Sequence, residues 1–346
     1  MTRKMATIRR IDELNPIEGA DKIEVATVGG WKVVCQKGLY TVGDVAVYCE
    51  IDSFIPTTIA PFLTKDGHYP KTYEGVEGER LKTVKLRGQI SQGLLLPFTA
   101  KMAIDIGAGP GAKFTDYEGT DVSELFGIIK YEPPVSAQLA GIAKGSFPSQ
   151  IPKTDQERCQ NLKREIAASI GTAFEVTEKL DGSSMTVYLI DGVFGVCSRN
   201  LDLKESEGNT FWRVARELDL ETKMRDFGDN FAIQGELIGE GIQKNIYDIK
   251  GHEFHVYDMY DILTGTYMLP ANVLNHCTAF GLHHCPVLDD NCILSQNDTI
   301  DRLLELAEGK STLNSKVERE GLVFKALNGG FSFKAISNKF LMKHGN

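Results

Sequence analysis

Apolar residues in the first part of the chain fall in short β-rich stretches at 23–28, 32–34, 44–48 and 82–86, separated by turn pairs such as Gly29-Gly30 and Gly43-Asp44. That pattern predicts a small β-barrel. Over residues 83–87 a period of two places Thr83, Lys85 and Arg87 on one face and Val84 and Leu86 on the other, which predicts a strand with a buried apolar side and a basic outer side. Between about 128 and 152 the helix and strand breakers Pro133, Pro134, Gly141, Gly145, Pro148 and Pro152 cluster, so a linker is expected there. The chain is accordingly divided into domains 1–128 and 129–346.

The second part mixes both periods. Thr154 and Glu157 have capping-box spacing, followed by Cys159, Leu162, Ile166 and Ile170 on one helical face and by Gly171 as a stop. Helical spacing recurs at Phe211, Val214, Ala215 and Leu218, and again at Ile300, Leu303, Leu304 and Ala307 ahead of Gly309. Stretches 185–190 and 193–198 flank Asp191-Gly192, a hairpin signal, and more strands are expected at 231–237, 253–260, 321–325 and 331–335. Strands with interspersed helices in this order indicate an α+β fold with antiparallel sheets rather than a βαβ repeat. No internal repeat or low-complexity tract is present.

A length of 346 residues exceeds the usual ~100–200 of one domain, which agrees with two. With 42% hydrophobic and 25% charged residues the composition is globular, and no apolar run approaches the ~18 needed to cross a bilayer. The basic start Met1-Thr2-Arg3-Lys4-Met5 lacks the apolar core of a signal peptide, so no membrane partner and a cytoplasmic location are expected. The seven cysteines do not form a disulfide framework, and His276, Cys277, His283, His284, Cys285 and Cys292 lack the spacing of a zinc site. Net charge is -9, which excludes a uniformly basic coat. Two segments nonetheless concentrate cations: Arg80, Lys82, Lys85 and Arg87, and Lys325, Lys334, Lys339 and Lys343 in an acid-free stretch. Both are candidates for polyphosphate.

Lys179-Leu180-Asp181-Gly182 places a lysine on a tight turn before the hairpin. The pattern occurs by chance in roughly one chain in ten of this length. What gives it weight is the ordered set that follows: Ser198-Arg199-Asn200, Gly235-Glu236-Leu237, the run from Phe254 to Asp258, the run from Glu320 to Lys325, and Lys334. Together these resemble the motifs of the covalent nucleotidyltransferases, which include DNA ligases, RNA ligases and mRNA capping enzymes. The segment from Ile151 to Arg158 is similar to RNA ligases, particularly the Naegleria and Deinococcus nick-sealing type with an N-terminal OB domain. The segments from Asn15 to Ala26 and from Leu86 to Gly93 resemble the tRNA-binding OB-fold appended to some tRNA synthetases, covering roughly the first hundred residues.

This resemblance implies an OB-fold barrel followed by a nucleotidyltransferase domain, with ATP donating AMP to Lys179. A lysine amine must be neutral to attack a phosphate, although its ordinary pKa is about 10.4. A divalent cation and the charges of Lys325 and Lys334 are expected to depress it and to offset charge on the phosphate. Glu236 and Glu320 are the expected oxygen ligands for Mg2+ or Mn2+. Asp181 is placed to hold a ribose hydroxyl or to orient the loop. The resemblance further implies that Arg199 meets the ribose and the nucleic-acid end, Phe254 stacks on adenine, and Glu178 lies beside the adenine edge. Lys85 and Arg87 are the expected nucleic-acid contacts of the barrel, on an RNA partner expected to be a nicked duplex with RNA on the 3'-OH side. The chain departs from many relatives in having one lysine, Lys334, between Ser332 and Ile336, so Lys325 or Lys339 has to compensate. It also has Ser184 where DNA ligases and capping enzymes usually place arginine. A DNA ligase, a capping-type enzyme and a non-catalytic OB-fold RNA-binding protein remain the alternatives. The oligomeric state is not set by the sequence, a monomer being the default expectation.

Overall fold

A computed structural model describes residues 3–107, 109, 111–132 and 142–344. By internal contacts the chain divides into one compact unit of Met1–Pro134 with Leu341–Asn346 and a second of Val135–Phe340. The division falls beyond 128 because the strand Ile129–Lys130 pairs with Ser53–Pro56 inside the first unit. Much of the expected linker, residues 133–141, lies outside the described residues.

The first unit is built from short antiparallel ladders. Val45–Cys49 is central, flanked by Ala6–Arg10 and Leu94–Pro97, while Ile23–Val28 lies between Glu13–Pro16 and Trp31–Gln36. Alternation along Val45–Cys49 feeds two cores. Val45, Val47 and Cys49 join Ile8, Ile55 and Leu96, whereas Ala46 and Tyr48 join Trp31, Val33 and Leu95. Among the described residues these ladders remain separate sheets and do not close into one barrel.

The basic strand also differs from expectation. Thr83–Leu86 pairs only with Gln89–Gln92 in a two-stranded ribbon, and Val84 and Leu86 are 43% and 42% exposed, so its apolar side is not buried. Arg87 lies in the turn with φ 50°, followed by Gly88 at 84°, the left-handed pair that closes a two-residue hairpin. Lys85 and Arg87 are both exposed, but they do not share a strand face.

The second unit contains two sheets. In the larger, Ser183–Ile190 lies between Val193–Cys197 and Phe231–Gly239, and the latter pairs with His252–Asp261. The predicted hairpin forms, with Asp191 and Gly192 both at positive φ. Apolar residues Met185, Val187, Ile233, Leu237 and Val256 cover one face of this sheet against helices Thr210–Glu217, Leu220–Phe227 and Pro270–Phe280. The smaller sheet runs in the order Val287–Ile293, Ala173–Lys179, Gly321–Ala326, Ser332–Ile336, and Ile300–Ala307 packs on it through Leu303 and Ala307, both 0% exposed. Among the described residues the strands pair antiparallel except for His283–His284 beside His252–Asp261, with one isolated parallel bridge between Arg158 and Lys334, so the α+β architecture holds.

The capping-box helix is not present as expected. Thr154 Oγ1 is 2.8 Å from the Tyr257 hydroxyl and does not cap, while Glu157 Oε1 accepts from Asn161 Nδ2. The chain forms a 3-10 turn, Cys159–Asn161, and then a short helix, Lys163–Ala168. Cys159 and Ile166 are buried, but Ile170 is 46% exposed.

Candidate active site

Two sheets of the second unit meet at Lys179. The lysine ends Ala173–Lys179 opposite Gly321, and the chain then turns through Leu180, Asp181 and Gly182 into Ser183–Ile190 of the larger sheet. Only glycine fits at 182, since a Cβ there would lie 2.5 Å from the Leu237 carbonyl oxygen. The turn is pinned by the Asp181 N–H, which donates to the Tyr247 hydroxyl at 2.6 Å, and by the Gly182 N–H, which donates to Glu236 Oε1 at 3.1 Å. The motif's fixed spacing therefore ties the lysine to a carboxylate on the neighbouring sheet.

Lys179 Nζ lies 2.7 Å from Glu320 Oε2, and Glu320 immediately precedes the strand paired with Ala173–Lys179. Burial alone would lower the pKa of Lys179, but Glu320, Glu236 and Asp181 outweigh it and leave the pKa raised. Burial first, then the neighbouring carboxylates, push Glu236 up to about 8 and Asp181 up to about 6. The strongest charges on Lys179 are thus negative, not the cations expected from the sequence. Lys325 instead donates to Asp258 Oδ1 at 2.7 Å and to the Tyr257 carbonyl, and Lys334 donates to Asp155 Oδ1 at 2.8 Å. Lys339 pairs with Glu308 at 3.1 Å.

Three carboxylates around one ammonium leave excess negative charge in a poorly solvated place, a situation that a divalent cation relieves. Among the described residues no three His, Cys, Asp or Glu side chains converge as a complete metal cage. The donors fit Mg2+ or Mn2+, because such ions take one or two carboxylates and fill their remaining positions with phosphate oxygens and water. The set from His276 to Cys292 does not converge either: His276 packs 4.6 Å from the Phe227 ring and His283 stacks on His255 at 5.1 Å.

Strand parity decides which side chains face this cluster. Ser184, Glu236 and His255 are cross-strand neighbours and share one face. Phe254 pairs with Leu237 on the other face, is 1% exposed, and belongs to the apolar core. It is therefore not placed to stack on a nucleotide beside Glu236. The register shifts between Gln234 and Gly235, making Tyr257 the extra residue of a β-bulge. Its hydroxyl lies 3.2 Å from Ser184 Oγ, and Lys325 Nζ lies 5.7 Å from its ring centre. Tyr257 is thus an aromatic on the Glu236 side, whereas the resemblance to the family had pointed to Phe254. Glu178 is buried, with Oε2 accepting from the Thr312 N–H at 2.8 Å and hydroxyl at 2.6 Å, while Oε1 has no hydrogen-bond partner. Arg199, half exposed, reaches Asp155 at 3.3 Å.

Family models match at two places: an OB-fold domain over residues 5–98 and an RNA ligase over residues 172–336. No curated protein matches the chain. Among solved structures, Naegleria gruberi RNA ligase with PPi is similar at 45% identity and TM-score 0.89, covering 99% of each chain. A lysine-to-alanine mutant of that ligase with ATP and Mn is similar at 45% identity and TM-score 0.88, again over 99% of each chain. A glutamate-to-alanine mutant with AMP and Mn gives 45% identity and TM-score 0.89 over 99% of each. With this identity along its whole length, and with a lysine turn, the carboxylates Glu236 and Glu320 and downstream lysines in the same unit, the chain belongs to the RNA ligase family.

Proposed function

We propose that the protein is an ATP-dependent RNA ligase that seals 3'-OH/5'-phosphate RNA ends or nicks through a lysyl-AMP intermediate. The observation that carries this reading is the contact of Lys179 with Glu320 beside Glu236 and Asp181, on a turn that only glycine permits. In the first step the neutral Lys179 amine attacks the α-phosphorus of ATP, a P–N bond forms, and pyrophosphate leaves with the electron pair of the broken P–O bond. A 5'-phosphate oxygen of RNA then takes the AMP, returning the lysine. The 3'-OH finally attacks that 5'-phosphate and AMP leaves.

The residues divide this work. Mg2+ or Mn2+ at Glu236 and Glu320 would neutralise charge on the α-phosphate and weaken the hold of the carboxylates on the Lys179 proton. The unpartnered Glu178 Oε1 is an acceptor that matches the amino group of adenine and mismatches the carbonyl of guanine. Tyr257 takes the stacking role. Lys334 and Arg199 take the phosphates and the nucleic-acid end, and Lys325, held by Asp258, adds a fixed positive charge.

The test is a nicked duplex in which the strand ending in 3'-OH is either RNA or DNA. Sealing with ATP and Mn2+ is expected to be at least about tenfold faster with RNA, the difference of one hydroxyl-sized contact. Equal rates would overturn the preference for an RNA 3'-OH end, faster sealing with DNA would favour DNA joining, and labelling by GTP in place of ATP would favour capping chemistry.

Residues 1–128 form the RNA clamp in this reading, with Lys85 and Arg87 as phosphate contacts. Both are exposed at a ribbon tip that projects two cations. Lys85→Ala with Arg87→Ala is expected to lower the slope of log affinity against log salt by about two contacts' worth, leaving AMP transfer to the protein unchanged. An unchanged slope would leave the first unit without this role.

A further inference from the structure

Asp155 is bound by two cations at once. Its Oδ1 accepts from Lys334 Nζ at 2.8 Å and its Oδ2 lies 3.3 Å from an Arg199 guanidinium nitrogen. A carboxylate therefore sits between the two side chains that the reading above gives to phosphates. The backbone on either side is fastened. Thr154 Oγ1 is 2.8 Å from the Tyr257 hydroxyl, and the Glu157 carbonyl accepts from the Lys334 N–H at 2.8 Å. The Asp155 side chain itself is 31% exposed and borders a cavity of about 380 Å³ shared with Lys153, Glu157, Lys325 and Ser332. It has room to swing aside without a change of backbone.

We propose that Asp155 is a positioning residue that stands in for a phosphate. Before nucleotide arrives it occupies both Lys334 and Arg199, so an incoming phosphate has to displace it. When triphosphate enters, its greater charge displaces the single carboxylate from both cations. After AMP has moved to Lys179, the same carboxylate competes with pyrophosphate for them and speeds its departure. The inference rests on Lys334 being a phosphate contact.

Calorimetric titration of the full chain with magnesium pyrophosphate tests it, because a competitor and a mere brace have opposite signs. Asp155→Asn keeps the shape but removes the charge, so pyrophosphate is expected to bind about tenfold tighter, the effect of one nearby charge in a partly solvated site. Asp155→Glu, which keeps the charge, is expected to stay within about twofold of the wild type. AMP, lacking the β- and γ-phosphates, is expected to bind the wild type and Asp155→Asn equally. Pyrophosphate binding that is unchanged or weaker in Asp155→Asn overturns the proposal. Asp155→Ser, smaller and neutral, repeats the test if the asparagine variant does not fold, and must tighten binding likewise. Lys334→Ala separates the two ideas: if it leaves pyrophosphate affinity unchanged, the phosphate reading of Lys334 is wrong. If it weakens binding while Asp155→Asn does not strengthen it, only the role of Asp155 is wrong.

Discussion

Lys179→Ala is expected to abolish covalent labelling by ATP, with a loss on the order of 1000-fold or more, because no other amine occupies the end of that strand. In the wild type, incubation with ATP and a divalent cation should give an acid-labile, alkali-stable, hydroxylamine-sensitive adduct, as a phosphoramidate is. Mass spectrometry should place the AMP on Lys179. The lysine is used only until the nucleotide has passed to the RNA, so the variant is expected to join a nick whose 5'-phosphate already carries AMP. That second assay guards against misreading an unfolded variant as an inactive one. AMP found on Lys325 or Lys334 would falsify the assignment of the turn as the nucleophile's home.

Glu320→Ala carries the next largest effect. The carboxylate touches Lys179 at 2.7 Å and is outside the apolar clusters, so its loss removes charge placement and little packing. Turnover is expected to fall roughly 100-fold or more at low metal, with partial recovery as the metal concentration rises. The thermal midpoint is expected to stay within a few degrees of the wild type, the shift that a change of about 1 kcal/mol or less produces. Near-normal sealing at low metal would remove Glu320 from the metal site.

Local signals explain what the sequence reveals about this fold and what it conceals. The Asp191-Gly192 hairpin and the apolar faces at Phe211–Leu218 and Ile300–Ala307 depend on neighbours in the chain, and all are found in place. Features set by distant partners are less legible. Thr154 has capping spacing, but Tyr257, 103 positions away, takes its hydroxyl. Phe254 matches the family's motif aromatic, yet its pairing with Leu237 turns it into the apolar core. Lys325 reads as a free cation in an acid-free segment, yet Asp258 from another sheet holds it in an ion pair at 2.7 Å. In each case the motif marks the correct stretch of chain, and a contact across the fold decides which atom within it faces the site.

The pair Lys179 and Glu320 spans 141 positions of chain, far more than separates the lysine from its other carboxylate neighbours, Asp181 and Glu236. At a synthesis rate of about 5–20 residues per second, the lysine leaves the ribosome roughly 10–30 s before the glutamate that completes its site. Until then it lacks the carboxylate that hydrogen-bonds to it. A chain interrupted before residue 320 carries the full Lys-x-Asp-Gly turn but not the carboxylate beside it. A fragment that stops short of residue 320 is therefore expected not to label with ATP, although it contains the lysine.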